Sequence, residues 1–282
     1  MDLPITKTKI TIPRRLSWTW TRQRLITALD DLLEYKLTLI AAPAGYGKTT
    51  LLVDLAHQVE YPVSWLALDP LDQDFDRFLL YFIAAINKNF PDFGAASASL
   101  INSLDKTKNV NQQIIQTIVN DVYENIHEHF ALVLDDYHLV DQNDEINNFI
   151  NQFAREMDEN CHLVIASRSL LSLPDLPLLV GRSQVKGVSF EELAFRSDEI
   201  EALLNRKYGL NISREDAKKL LIQTEGWVTG LLLSAKTSGV KLDEHGRSSS
   251  KTGVGLYDYL AQQVLDQQEP EMREFLLYSS VL

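Results

Sequence analysis

One cysteine, Cys161, stands in 282 residues, so no disulfide can form within the chain. That fits a reducing compartment. No apolar run approaches the roughly 18 consecutive residues that a membrane-spanning helix requires. Residues 1–15 have no apolar stretch behind their charges, which argues against a secretory signal. Basic charge is also short: 27 Lys and Arg against 39 Asp and Glu leave a net charge of −12. A nucleic-acid surface shows a basic face, so this segment is not expected to be one. No helix-turn-helix or zinc-finger pattern occurs, and no internal repeat is visible. These absences describe a soluble, cytoplasmic chain that does not enter a membrane.

What is present is ordinary for a globular protein: 45% hydrophobic and 23% charged residues. The length suits one large domain or two smaller ones. Residues 1–20 are polar, carry Pro4 and Pro13, and read as an extended arm. Leu25, Ile26, Leu29, Leu32 and Leu33 form a helical stripe over 22–33. Short apolar runs at 37–42, 63–68, 130–134, 162–166 and, more weakly, 185–190 read as buried parallel strands. Helical patterns at 48–58, 74–89, 112–126 and 145–157 alternate with them. Residues 91–110 read as a loop, and so do 170–179, where Pro174 and Pro177 interrupt the pattern. Alternation of this kind predicts an α/β fold with a parallel sheet covered by helices. From Ser197 onward only helical signals remain, at 197–207, 213–224, 227–237 and 255–266, with Ser213 and Asp216 close to a capping pattern. Residues 238–253 are rich in Gly, Ser and Lys and read as a mobile loop. The expected division is an α/β domain with its arm over 1–192, an all-helical domain over 193–268, and a third region opening at 269–282.

The chemistry concentrates in three places. Ala42-Pro43-Ala44-Gly45-Tyr46-Gly47-Lys48-Thr49 follows a predicted strand and opens a predicted helix. It matches the phosphate-binding pattern G-x-x-x-x-G-K-[ST] at every fixed position but the first, where Ala42 replaces glycine. Gly45 and Gly47 let backbone N–H groups turn toward an anion. The helix beginning at Lys48 aims its positive end at phosphates. Lys48 reaches the β- and γ-phosphates, Thr49 offers a hydroxyl to Mg²⁺, and Thr50 is placed for the α-phosphate. These features predict an ATP or ADP site. Second, the apolar strand Leu132-Val133-Leu134 ends in Asp135 and Asp136. Asp135 is the candidate for orienting Mg²⁺, and Asp136 for acting on the attacking water. Third, Leu163-Val164-Ile165-Ala166-Ser167 ends in Arg168, the candidate for sensing the γ-phosphate. His138 and Cys161 receive no catalytic role, and Trp18, Trp20 and Trp65 are expected to pack.

The motif set goes further than a phosphate loop. The loop with Thr50, then Leu134-Asp135-Asp136-Tyr137-His138, Ala166-Ser167-Arg168, Glu192-Leu193-Ala194-Phe195 and Glu225-Gly226-Trp227-Val228-Thr229-Gly230-Leu231 resembles the MalT-like, large LuxR-type regulators within the STAND class of P-loop NTPases. The resemblance runs from about Lys9 onward. It implies a nucleotide-binding domain, a helical domain and then a winged-helix region, of which 269–282 is the start. It implies a bacterial transcriptional activator whose DNA-binding and inducer- or protein-sensing domains lie outside this chain. It implies a slow, regulatory ATPase that self-associates when ATP and an inducer are bound. It also supplies base contacts: Arg22 and Arg24 in the segment before the first strand, and Trp227 in the helical motif. STAND relatives often carry Gly-x-Pro there, whereas this sequence has Gly226-Trp227 without the proline. A constitutive P-loop ATPase or kinase, and a non-hydrolysing nucleotide-binding scaffold, are the alternative readings of the same loop.

Overall fold

A computed structural model describes residues 5–95, 97 and 110–237. The expected helix at 255–266, the loop at 238–253, most of the loop at 91–110 and the winged-helix start at 269–282 lie outside the described residues. The described residues divide into two compact units: those up to 43 with those from 47 to 193, and 44–46 with 194–237.

The first unit is built on five strands: β1 (Leu37–Ala41), β2 (Val63–Ala67), β3 (Phe130–Asp135), β4 (Cys161–Ser167) and β5 (Val185–Val188). They stand in the order β2-β3-β4-β1-β5, and every pairing is parallel. Every residue of β3 and β4 is buried. That is why they read as continuous apolar runs rather than as alternation. The helices of this unit are α1 (Gln23–Ala28), α2 (Lys48–Ala56), α3 (Phe75–Asn87), α4 (Val110–Asn125), α5 (Asp144–Glu156), α6 (Leu176–Gly181) and α7 (Phe190–Leu193).

The core is aromatic where α3 meets α5. Phe78 and Phe82 of α3 meet Phe149 edge-on, at 5.9 and 5.1 Å between centroids, and Phe82 also meets Phe153 at 5.1 Å. Such pairs contribute about 0.5–1.5 kcal/mol beyond their area. The caps are in the sequence: Asp74 accepts from Arg77 N at 2.9 Å, and Asn143 accepts from Glu145 N at 2.8 Å.

Three expectations change. The arm is not wholly extended, because Lys7–Ile10 forms a 3-10 turn. Lys9 pins that turn on Asp69, at 2.6 Å, and on the fully buried Asp72, which also takes Arg77 Nε at 2.9 Å. The stripe at 22–33 does bury Leu25, Ile26, Leu29 and Leu32, but as α1 followed by a separate 3-10 turn at Leu32–Glu34. Asp30 and Asp31 fall where a continuous helix would approach its negative end, which disfavours carboxylates. Finally, 170–179 is not all loop. Pro177 lies in the first turn of α6, where its missing N–H breaks no helical bond.

The second unit contains α8 (Ser197–Tyr208), α9 (Arg214–Thr224) and α10 (Val228–Thr237), close to the expected spans. Ile200, Leu203, Leu204, Ala217 and Leu231 are buried in it. Ser213 caps α9 by accepting from Asp216 N at 3.1 Å. Gly209 ends α8 in the left-handed region at φ 67°, with its N–H on Asn205 O at 2.7 Å.

Candidate functional site

In a parallel sheet the ligand-binding groups gather at the carboxyl ends of the strands, near the point where strand order reverses. Here β1 lies between β4 and β5, while the chain after β1 goes to the far edge at β2. The register puts Ala41 beside Ser167 and Ala67 beside Asp135. The phosphate loop, Asp135 and Arg168 therefore leave the sheet on one edge.

Both loop glycines sit at positive φ, 80° at Gly45 and 84° at Gly47, where a side chain is strained. Gly47 is the N-cap of α2, and its carbonyl accepts from Leu51 N at 2.9 Å. Lys48 is buried, with Nζ donating to Ala42 O at 2.6 Å and Pro43 O at 3.2 Å. Burial lowers its pKa, Asp136 and Asp135 act against that, and Arg168 adds to it.

Asp135 is buried at the end of β3. Burial first, and then the neighbouring Asp136, push its pKa up to about 6. Hydrogen bonds from the Thr49 side chain and from Asp136 N, at 3.0 Å, act in the opposite direction. A hydroxyl and a carboxylate side by side are hard oxygen donors of the kind Mg²⁺ takes. Thr49 and Asp135 would hold such an ion, which would supply positive charge to the phosphates.

Asp136 takes the left-handed conformation, φ 58° and ψ 37°, and its side chain is about half exposed. The chain then makes a single 3-10 turn, Tyr137–Leu139. This turn returns His138 to the site: its ring feels Arg168, Asp136 and Lys48, and burial lowers its pKa to about 4. The structure thus places Lys48, Thr49, Asp135, Asp136 and Arg168 near one another, with His138 beside them. Sequence reasoning passed over His138 as a solitary histidine; the available signal was its place three residues after the strand-end Asp135. Ser167 was also passed over, and its buried hydroxyl has no hydrogen-bond partner among the described residues.

The candidate base contacts are engaged on backbone. Arg22 is buried and donates to Leu193 O at 2.5 Å, and Arg24 donates to Glu192 O at 2.5 Å. Both guanidinium groups thus meet the last carbonyls of α7, which favour cations. Within the second unit, Trp227 Nε1 donates to Ala44 O at 2.8 Å, and Thr229 donates to Gly45 O through its N–H at 3.2 Å and its hydroxyl at 3.3 Å. A Cβ on Gly45 would lie 2.3 Å from Thr229 Oγ1 and 2.6 Å from Trp227 Nε1. A Cβ on Gly230 would lie 2.5 Å from the Trp227 ring. The Gly-Trp-x-Thr-Gly spacing is the shape of an indole and a hydroxyl laid on the loop tip 44–46.

This geometry can be set beside known proteins. Over 279 residues, 97% of this chain, 35% of positions are identical to the HTH-type transcriptional regulator MalT of Yersinia pestis strain Pestoides F. The chain is thus similar to MalT over nearly its whole length. The Yersinia enterocolitica protein of that name is 34% identical over 280 residues. The chain spans about 30% of the length of these curated MalT relatives. Among solved structures, a signal transduction ATPase with numerous domains and a tetratricopeptide repeat sensor, from Pyrococcus horikoshii, matches 95% of this chain and 35% of its own, with a TM-score of 0.53 and 17% identity. A Walker-type ATPase of Pyrococcus abyssi matches 78% of this chain and 69% of its own, with a TM-score of 0.50 and 15% identity. The sheet and its helices are those of a P-loop NTPase. No family model matches the chain. No helix among the described residues is long and apolar enough to cross a membrane.

Proposed function

We propose that this chain is the nucleotide-controlled switch module of a regulatory ATPase, part of a transcriptional activator whose other domains lie outside it. The observation that carries the reading is the grouping of Lys48, Thr49, Asp135, Asp136 and Arg168 at one edge of the sheet, with Thr49 hydrogen-bonded to Asp135. In this reading the N–H groups of the loop 43–47 and of Lys48, Thr49 and Thr50 hold the phosphates. Lys48 neutralises the β- and γ-oxygens, and Arg168 reads the γ-phosphate. Thr49 and Asp135 hold Mg²⁺, and Asp136 orients and polarises the attacking water. Arg22, Arg24 and Trp227 belong to the adenine side, acting through the backbone they hold.

A switch requires that ATP and ADP prefer different states, since a ligand binding both equally shifts nothing. ADP is assigned to a closed monomer, ATP with an inducer to a self-associating form, and slow hydrolysis to the reset. The test combines calorimetry with ADP and a non-hydrolysable ATP analogue, light scattering in each state, and phosphate release. The expected outcome is binding of both nucleotides, a change of shape or assembly between them, and turnover that Asp136→Asn lowers about 100-fold or more. Asparagine also tolerates the left-handed conformation at that position, so the fold should persist. Equal binding with no change in scattering would sink the switch. Fast turnover on an added acceptor would point to a kinase instead.

A further inference from the structure

At the amino ends of the strands, away from the edge that carries Asp135 and Arg168, the surface holds a cleft of about 450 Å³. Small-molecule sites commonly fall between about 300 and 1,000 Å³. Two segments form its walls. Tyr123, Glu124, Ile126 and His127 come from the end of α4 and the turn into β3. Asp158 and Asn160 come from the turn between α5 and β4. Asn160 is only 8% exposed, and its backbone carbonyl accepts from Phe130 N at 2.9 Å. Its Nδ2 donates to Ile126 O at 2.5 Å. A carbonyl only accepts, so this amide cannot be turned over: Nδ2 must face Ile126 O and Oδ1 must face away. That Oδ1 is buried and has no hydrogen-bond partner among the described residues. Buried polar groups are nearly always paired, so a donor is missing at this wall of the cleft.

The rest of the lining asks for a positively charged donor. Glu124 and Asp158 bring two carboxylates, and neither side chain makes a hydrogen bond or ion pair among the described residues. The basic groups of the adjoining segments are engaged: Lys36 donates to Met157 O at 2.6 Å, and Arg155 holds Glu156 at 2.9 Å and Asp175 at 3.1 Å. Helix α4 ends at the cleft without a basic residue in its last turn, and the negative end of a helix favours a cation. The Tyr123 ring is 66% exposed and makes no ring or cation contact among the described residues. A cation gains by lying on such a face. His127, also exposed, adds a ring nitrogen that accepts when neutral. A bare metal ion fits less well, since no group of three His, Cys, Asp or Glu among the described residues is placed to hold one.

We propose that this cleft binds a small organic cation, a guanidinium or alkylammonium compound, whose N–H groups reach Asn160 Oδ1 and the carboxylates of Glu124 and Asp158 while Tyr123 covers its charge. The site goes beyond the functional reading above and stands without it, because none of its residues belongs to the nucleotide edge. An anion would meet two carboxylates here, and a neutral diol would leave them without a countercharge.

The experiment titrates the whole chain with agmatine and with putrescine by calorimetry at constant ionic strength. Nucleotide is left out, because amines pair with free polyphosphate. 1,4-Butanediol, the neutral analogue of putrescine, is the blank. The expected result is a Kd below about 1 mM for agmatine, in keeping with a ligand of so few atoms, and no heat from the diol. Glu124→Gln and Asp158→Asn should each weaken binding about 3- to 10-fold, and Tyr123→Ala about 2- to 5-fold. Glu215→Gln, an exposed acid of α9, should leave Kd within about 2-fold, which separates the cleft from the general negative charge of the chain. The three cleft variants change solvent-facing side chains, and melts check that each is folded. A second measurement reads the missing bond itself: the assigned side-chain amide of Asn160, followed by nitrogen-15 NMR in the unsubstituted chain, should shift as agmatine is added and stay in place with the diol. Absence of binding up to about 10 mM cation would overturn the proposal. So would equal binding of the diol, acid variants that bind like the unsubstituted chain, or an Asn160 amide indifferent to agmatine. Any of these results would leave Asn160 Oδ1 to water.

Discussion

At the amino ends of the strands, His162 is buried and bonded on both sides. Its Nδ1 lies 2.8 Å from Tyr35 O, and its Nε2 lies 2.9 Å from His129 Nδ1. Since a carbonyl only accepts, His162 carries its proton on Nδ1 and accepts from His129 through Nε2. Nearby, Lys36 Nζ donates to Met157 O at 2.6 Å, and Asn160, although its Oδ1 finds no partner among the described residues, donates to Ile126 O at 2.5 Å. At the carboxyl ends of the same strands the pattern reverses. His138 and the Ser167 hydroxyl have no hydrogen-bond partner among the described residues, Asp136 holds a strained backbone, and Asp135 is buried beside a second carboxylate. The two ends of the sheet thus hold a buried histidine and a partly buried one in opposite circumstances. A buried polar group with all its bonds made serves the fold, and one left short of them is available for a ligand or for chemistry.

The contrast can be broken from either end. The largest effect is expected from Lys48→Ala, which removes the cation of the carboxyl edge. Nucleotide Kd by calorimetry should rise about 100-fold or more, as befits a charge-assisted phosphate contact. The nucleotide-free melt should fall only as far as the loss of the bonds to Ala42 O and Pro43 O allows, about 1–3 kcal/mol. Next comes His162→Ala at the opposite end. It strands Tyr35 O and His129 Nδ1, so it should cost about 1–3 kcal/mol in chemical denaturation. Nucleotide affinity should stay at the parent value, and a loss of binding comparable to that of Lys48→Ala would erase the distinction between the two ends.

The smallest effect concerns pH. Burial lowers the pKa of His162, the Tyr35 carbonyl partly restores it, and His129 lowers it again. The unfolded chain, with histidine near 6.5, therefore binds a proton at a higher pH than the folded chain does. Stability contributed at this site is complete above about pH 6.5 and declines as pH falls below it. Midpoints of denaturation followed from pH 7.5 to 5.5 should fall with acid in the parent, and fall less steeply in His162→Ala. An identical slope in the two proteins would show that His162 titrates alike in both states.

How legible all this was in the sequence follows the same division. The loop could be read because each residue there is fixed by a local demand: positive φ at Gly45 and Gly47, a cation at Lys48, a hydroxyl at Thr49. The strands could be read because burial on both faces writes itself as an apolar run. Ser213 announced α9 through a bond three residues long. What was hidden depended on distant partners. Pro177 looked like a breaker until α6 placed it in a first turn. Arg22 and Arg24 looked available for a base, yet their ends meet carbonyls at 192 and 193, which spacing cannot foretell. His138 looked solitary because the groups that give it meaning come from other elements, Lys48 and Arg168 among them.

The indole of Trp227, bonded through its N–H to the carbonyl of Ala44, has an optical consequence. Indole emission responds to hydrogen bonding at that nitrogen, so the chain carries its own fluorophore on the tip of the phosphate loop. Trp65, sealed within β2, and Trp18 and the exposed Trp20 in the segment before α1 supply the background. A Trp227→Phe chain provides the blank, and the difference between the two emission spectra follows the loop in real time, without a dye or a labelled nucleotide.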